Sequence, residues 1–409
     1  MKPHQLSDEM EQFLHDQSVI GAAAWNRLFD ETMAALTFNI EGEVLNLEAT
    51  LNLLSDTNRA IREKGTRALI KVFGENISLF SRITNTLAKE KEIEDRWRKM
   101  PTPQYGRHLA NQVEPEVVEA LRNAVVAAYP RLSHRYYALK AKWMGLETLE
   151  VWDRNAPLDG EDSANIQWED AQKMVMEAYA DFSPKMALLA EPFFTKGWID
   201  AGLKPGKAPG AFAHPTVTNV HPYVMLNYMG KQRDVMTLAH ELGHGVHQVL
   251  AASQGELLSS TPLTLAETAS VFGEMLTFRK LLDNATDPAR RKHLLANKVE
   301  DMINTVVRQI AFYDFECKLH EARANGELTP DQINEVWMSI QAESLGPVFN
   351  FVEGYETFWT YIPHFIHSPF YVYAYAFGDG LVNALYAVYE EGDPDFHESL
   401  DHLLRKQHT

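Results

Sequence analysis

The sequence predicts a mainly α protein with one small β element. Apolar residues recur at i, i+3 and i+4 along most of the chain. One stretch, 202–231, breaks that rhythm with Gly, Pro and β-branched residues. No internal repeat or low-complexity segment competes with this reading. The 409 residues, 45% apolar and 23% charged, can bury a large core, roughly two to three domain-sized units.

In chain order, residues 23–37 (AAWNRLFDETMAALT), 57–90, 115–144 and 165–194 carry helical spacing with charges between the apolar positions. Pro101 and Pro103, in KMPTPQYG, mark a break between helices. A loop at 153–164 (DRNAPLDGEDSA) suggests a boundary between an N-terminal helical region, 1–150, and the remainder, 151–409. The stretch 202–231 reads as loop, short strand, turn, short strand. HPYVMLNY (221–228) is its best strand candidate. Helical patterns then resume to the C-terminus. Thr329 is expected as an N-cap, with Pro330 at the first helical position.

Charge and composition exclude several classes. Lys plus Arg is 38 and Asp plus Glu 56, a formal charge of −18. That argues against nucleic acid and anionic membrane surfaces as partners, since both demand a basic footprint. No run of about 18 apolar residues occurs, so no transmembrane helix is expected. The single cysteine, Cys317, excludes an intramolecular disulfide and a cysteine-based zinc site. The N-terminus lacks an apolar signal core. The expectation is a soluble protein of a reducing compartment, most simply the cytoplasm; oligomeric state is not legible. The 16 histidines point toward metal ligation.

Two of them stand in His240-Glu241-Leu242-Gly243-His244, inside a stretch with helical spacing. Residues four apart lie about 40° apart around a helix, so both imidazoles can reach one ion. Glu241 sits beside the first histidine, placed to act as a general base rather than a ligand. A catalytic zinc site needs a third protein ligand. TLAETASVFGEMLTFRK supplies Glu267 and Glu274, seven apart and on one face, among Leu265, Ala266, Ala269, Val271, Phe272 and Leu276. Carboxylates in so apolar a helix are costly unless paired or metal-bound. Glu267 is expected as the third ligand, and Glu274 as acceptor of a hydrogen bond from a ligand imidazole. The alternative is a pair of solvated charges. His247, one turn beyond His244, reads as a packing histidine or a fourth metal contact.

A second constellation is IPHFIHSPFYVYAYAFGDG, residues 362–380, with His364, His367, Tyr371, Tyr373 and Tyr375. Pro369 is expected to open a helix, placing Tyr371 and Tyr375 on one face. Amide hydrolysis builds negative charge on the carbonyl oxygen, and neutral donors such as His364 and a tyrosine stabilise it. The alternative is an aromatic helix packed in the core.

HELGH, then AETAS (266–270), then PHFxxxPFYVYxYAFG (363–378), together with GAFAHP (210–215) and HPYVMLNYMGKQRDVMTLAHE (221–241), resembles the oligoendopeptidase F branch of the thimet-oligopeptidase family of zinc metallopeptidases. The likeness runs from about residue 15 to residue 395. It implies a two-lobed helical metallopeptidase with a deep channel and a small β element beside the HExxH helix. It implies one zinc ion per chain, held by His240, His244 and Glu267, with Glu241 as general base. His364 stands at the family's transition-state histidine position, with His367 a competing assignment. Tyr375 and Tyr371 match its carbonyl-binding tyrosines. The implied activity is hydrolysis of internal bonds of oligopeptides, and the HPYVMLNY edge is implied to bind substrate by strand addition. The family usually carries a further N-terminal helical region, inside which this chain starts, so a substrate size limit is not implied. The rival readings are a zinc protein of the same fold without hydrolytic activity, and a helical interaction protein in which HELGH is incidental.

Overall fold

The computed structural model describes residues 2–158, 165–204, 207, 210–392, 396, 399, 400 and 404. Part of the loop expected at 153–164, and residues 205, 206, 208 and 209 of the stretch 202–231, lie outside the described residues. The protein is mainly α, as its periodicity predicts, and no described strand exceeds three residues. Among the described residues no helix is long and apolar enough to cross a membrane. The chain divides into two compact units, Met1–Asp159 with Ile303–Tyr373, and Gly160–Met302 with Ala374–Thr409.

In the first unit each long periodic stretch resolves into two helices. Residues 57–90 belong to Arg59–Glu75 and Ile77–Trp97. Between them Asn76 turns its side-chain amide onto the Val72 carbonyl at 2.8 Å, a local bond that competes with helix continuation. Residues 115–144 form Pro115–Ala128 and Ser133–Trp143. Pro130 stands between them and has no N–H to donate. Thr329 caps the Pro330–Leu345 helix as expected. Its hydroxyl accepts from Gln332 N, and the Gln332 side chain accepts from Thr329 N. Buried Asp153 holds the Arg59–Glu75 helix through Arg59 Nη2 at 2.7 Å and Arg62 Nη2 at 3.1 Å.

Pro369 does not open a helix. The chain makes a short helix at His364–His367, turns through 368–372, and starts its last long helix at Tyr373. Phe370, fully buried, occupies the left-handed region at φ 59°, which ends any helical path there. Tyr371 therefore precedes the helix that carries Tyr375, and the two do not share a helix face.

In the second unit, residues 165–194 become Trp168–Phe182 and Pro184–Thr195, with Ser183 as N-cap and Pro184 opening the second helix. A three-stranded sheet follows. Tyr223–Met225, inside HPYVMLNY, is its central strand. It pairs parallel with Ile199–Asp200 and antiparallel with Phe212–His214. Both sides of the expected substrate-binding strand are thus occupied. Among the described residues the outer strands are Ile199–Asp200 and Phe212–His214, which corrects the expectation that the HPYVMLNY strand offers the edge that takes up substrate.

After the sheet come the Gln232–Ala251 and Leu263–Asn284 helices. Val175, Tyr179, Phe193, Leu238, Leu242, Phe272, Met275 and Val382 share one buried cluster. Two glycines set how closely these helices approach. A Cβ at Gly243 would stand 2.8 Å from Ala269 O and from Ser270 Cα; one at Gly273 would stand 2.8 Å from Ala239 O. These neighbours are backbone atoms and cannot swing aside. Gly243→Ala should therefore push the helices apart, costing about 1–3 kcal/mol of stability. Thermal melting and metal titration of the variant check this; an unchanged melting temperature with unchanged metal affinity would contradict it.

Candidate metal centre

The His240-Glu241-Leu242-Gly243-His244 segment occupies the middle of the Gln232–Ala251 helix, whose Val235, Leu238, Ala239 and Leu242 are buried. That apolar side fixes the helix rotation and leaves His240 and His244 half-buried on another face. Their Nε2 atoms lie 3.2 Å apart and their rings stand nearly perpendicular, at 83°. Glu267 Oε2 is 3.7 Å from His240 Nε2. One ligand atom from each of His240, His244 and Glu267 lies within 4.8 Å of the others. The expected triad therefore converges.

The carboxylate partner is also where the sequence places it. Glu274 Oε1 meets His240 Nδ1 at 2.5 Å. With Nδ1–H donating to this carboxylate, Nε2 carries its lone pair toward the other two ligands. Two imidazoles and a carboxylate directed at one point suit a borderline cation such as Zn²⁺. Glu241 is buried beside them and does not belong to the convergent triad. His247 is buried and is not one of the three; burial pushes its pKa down to about 4, the state of a packed neutral histidine.

The electrostatics show a site short of positive charge. Burial pushes Glu241 up to about 7, with Glu267 and Glu274 adding and His240 opposing. Burial works against the charged form of His240, but the Glu274 hydrogen bond and the Glu274, Glu267 and Glu241 charges outweigh it and raise the ring to about 9. His244 is pushed down to about 3 by burial and then by the His240 charge. Without metal, a proton on His240 offsets the carboxylates. Metal binding must displace it, as ligation requires a free lone pair.

Sequence reasoning missed two acids beside this centre. Asp379, which is buried, and Asp301, which stays exposed to solvent, both sense Glu274; burial raises Asp379, and the surrounding protein raises Asp301 as well. Lys298 opposes each shift. The signal for Asp379 was available: a carboxylate in an apolar helical run, the same argument that found Glu267. The helix carrying Asp379 comes close because Gly378 permits it, since a Cβ there would stand 3.0 Å from Glu267 Cβ. Tyr375 lies one helical turn before Gly378 and is half-buried.

In the first unit, His364 is half-buried and stacks on Tyr371, with ring centroids 5.6 Å apart. Burial lowers its pKa, and the Arg308 and His367 charges add to that. His367 is exposed, and its Nε2 is 2.8 Å from Asp30 Oδ1. Tyr373 is buried, its hydroxyl accepting from Asn111 Nδ2 at 2.9 Å.

The turn carrying Tyr371 is held from beneath. Glu316 Oε1 accepts from Phe370 N at 2.8 Å, and Arg107 Nε donates to Pro369 O at 3.2 Å. Glu316 Oε2 is buried without a partner beside a cavity of about 30 Å³, which Thr84, His320 and Thr360 also line. Burial pushes Glu316 up to about 8, against the Phe370 N–H and the Arg107 and Lys91 charges.

The sequence profile of peptidase family M3 matches residues 52–399, and that of oligopeptidase F matches residues 1–38. The chain belongs to peptidase family M3. It is 26% identical to oligopeptidase PepF of Bacillus subtilis over 98% of this chain and 61% of that protein. It is 30% identical to an oligoendopeptidase F homolog of Lactococcus lactis over 80% of this chain and 54% of that protein. The chain thus spans little more than half the length of these two relatives. The crystal structure of oligoendopeptidase-F from Enterococcus faecium superposes with a TM-score of 0.77 at 22% identity, covering 100% of this chain and 68% of that one. That structure shares the fold. M3 peptidases are metallopeptidases, and the His240, His244 and Glu267 cluster is where this M3 chain could hold a metal.

Two outcomes follow from this geometry. Glu274→Gln should weaken metal binding about 10–100-fold, because the His240 tautomer loses its anchor; competition with a chelating dye measures it, and unchanged affinity would remove Glu274 from the centre. Glu316 titrates at about 8 when folded against an ordinary 4.5, so the folded chain binds the extra proton between those values. Stability should therefore fall as pH rises from about 4.5 to 8, by up to about 1.4 kcal/mol per pH unit. Glu316→Gln keeps an acceptor for Phe370 N but cannot ionise. Its melting temperature should gain on the parent's between pH 5 and pH 8, and parallel curves would contradict the assignment.

Proposed function

We propose that the chain is a zinc metalloendopeptidase that hydrolyses internal bonds of oligopeptides. The observation carrying this reading is the convergence of the His240 and His244 Nε2 atoms and a Glu267 oxygen, with buried Glu241 beside them. Family membership and the names of the relatives support it. The residues assigned to the chemistry all fall within 151–409.

His240, His244 and Glu267 hold the ion. When bound, Zn²⁺ supplies Lewis-acid activation of water and of the scissile carbonyl. Glu241 takes the proton from the attacking water and returns it to the leaving amine. His364 and Tyr375 are assigned as neutral donors to the developing oxyanion, with Tyr371 in a supporting position. Two observations favour His364 over His367: it is half-buried with its pKa held down, while His367 is exposed and committed to Asp30. Tyr375 is preferred over Tyr371 because its helix packs on Glu267 through Gly378.

The test joins metal analysis to a quenched-fluorescence peptide assay. The parent protein should bind one zinc ion per chain, gain thermal stability with it, and lose turnover to a chelator. Glu241→Gln should keep the zinc while kcat falls about 10²–10⁴-fold. Stoichiometric zinc with no turnover in the parent would favour a zinc protein of this fold without hydrolytic activity.

A further inference from the structure

Among the described residues of the first unit, two arginines, Arg154 and Arg308, form no ion pair with a carboxylate. Arg154 and Arg308 are both half-buried, so solvent reaches part of each side chain. Their Nε atoms are buried and have no hydrogen-bond partner. Arg154 Nη2 donates to Asn304 Oδ1 at 3.0 Å, and Arg308 Nη2 donates to Tyr361 OH at 3.3 Å. The Tyr137 and Tyr355 hydroxyls also lie against Arg154. Tyr355 donates its own proton to Gln341 Oε1 at 3.1 Å, leaving an oxygen lone pair for the guanidinium. The partners of both guanidinium groups named here are neutral oxygens. Burial and the Arg154 charge push the Arg308 pKa down, while the surrounding tyrosine oxygens hold that of Arg154 up against burial, so Arg308 is the less compensated of the two.

Guanidinium pairs are normally enclosed with an anion, because two buried like charges repel and each has lost water. Here the backbone is shaped around them. Asn304 stands in a π-helical turn, Ile303–Val307, immediately before Arg308. Such turns are rare and concentrate at functional sites. Arg308 is braced by the face of the Phe312 ring, 5.0 Å from its centroid. Arg308 also acts on His364, whose pKa its charge helps to lower. Arg308 Nη2 meets the hydroxyl of Tyr361, three residues before His364, so an anion on Arg308 would sit beside the segment that carries the histidine assigned above to the carbonyl.

We propose that Arg154 and Arg308, with the Asn304 amide and the surrounding tyrosine hydroxyls, bind a carboxylate of the peptide substrate. A planar carboxylate matches the planar guanidinium fork and supplies the missing negative charge. The site selects peptides that present a free α-carboxylate or an acidic side chain there. This inference rests on the peptidase reading for its ligand, though binding can be measured without catalysis.

The experiment uses the whole zinc-loaded chain with Glu241→Gln to prevent turnover, and fluorescence anisotropy of an N-terminally labelled short peptide with neutral side chains. The free acid should bind about 10–100-fold more tightly than its C-terminal amide, the range expected for charge-assisted hydrogen bonds. Adding Arg308→Gln or Arg154→Gln should abolish that preference, bringing the acid's affinity to that of the amide in the same variant. Arg308→Lys keeps the charge but loses the fork, so an intermediate preference is expected, and melting curves identify any variant that has not folded. An amide peptide carrying a glutamate that regains affinity in the parent, and loses it in Arg308→Gln, assigns the carboxylate to a side chain and also supports the site. Equal binding of acid and amide, with no affinity regained through the glutamate and none lost selectively in the arginine variants, overturns it. Parallel cleavage assays on the chain with Glu241 intact separate the two ideas. Carboxylate-dependent binding without cleavage retains the arginine site and rejects the peptidase reading. Cleavage with no carboxylate preference does the reverse.

Discussion

The candidate centre depends on how closely two helices can approach. His240 and His244 come from one helix, and Glu267 from the next. Their convergence requires backbone-to-backbone packing at Gly243 and Gly273, where a side chain of any size would meet main-chain atoms. The apolar sides supply the attraction: Leu238, Ala239 and Leu242 from one helix and Phe272 and Met275 from the other share a buried cluster. The glycines let that attraction act at short range. Gly378 extends the same device to a third helix, which closes on Glu267 and brings Asp379 and Tyr375 with it.

Close packing gathers charge as well as ligands. Glu241, Glu267 and Glu274 bear on His240, and Asp301 and Asp379 bear on Glu274. The buried ones, Glu241, Glu267 and Asp379, destabilise a fold unless cations answer them. Lys298 answers in part, and a protonated His240 answers when no metal is present. A divalent ion would answer more fully, because it also uses the lone pairs that Glu274 orients. The same reasoning, with signs reversed, applies at Arg154 and Arg308, where the uncompensated charge is positive.

The His240, His244 and Glu267 group was legible because its geometry is local on each helix. Residues four apart share a face whatever surrounds them, and a carboxylate in an apolar run needs an explanation wherever it occurs. Thr329 and Pro330 were legible for the same reason, since a cap is a bond between near neighbours. The helix breaks at Asn76 and Pro130 had local signals that periodicity alone passed over. The Tyr371–Tyr375 face failed because Phe370 adopts a left-handed conformation held by Glu316, which lies 54 positions earlier in the chain. The position of Tyr223–Met225 within its sheet failed because strand order depends on partners, and the strand's own pattern does not name them.

The sequence by itself determined the helical character, the shared face of His240 and His244, and the candidacy of Glu267 and Glu274 as carboxylates beside that pair. These follow from helical repeat geometry and from the cost of burying a lone carboxylate. Only the tertiary structure decided that Tyr371 stands off the helix of Tyr375, that His367 is committed to Asp30, that Tyr223–Met225 is the central strand of its sheet, and that Arg154 bonds to Asn304 in the turn before Arg308. Each of these depends on groups distant in the chain meeting in space. A residue's type and spacing state what it needs, and its long-range neighbours determine whether that need is met.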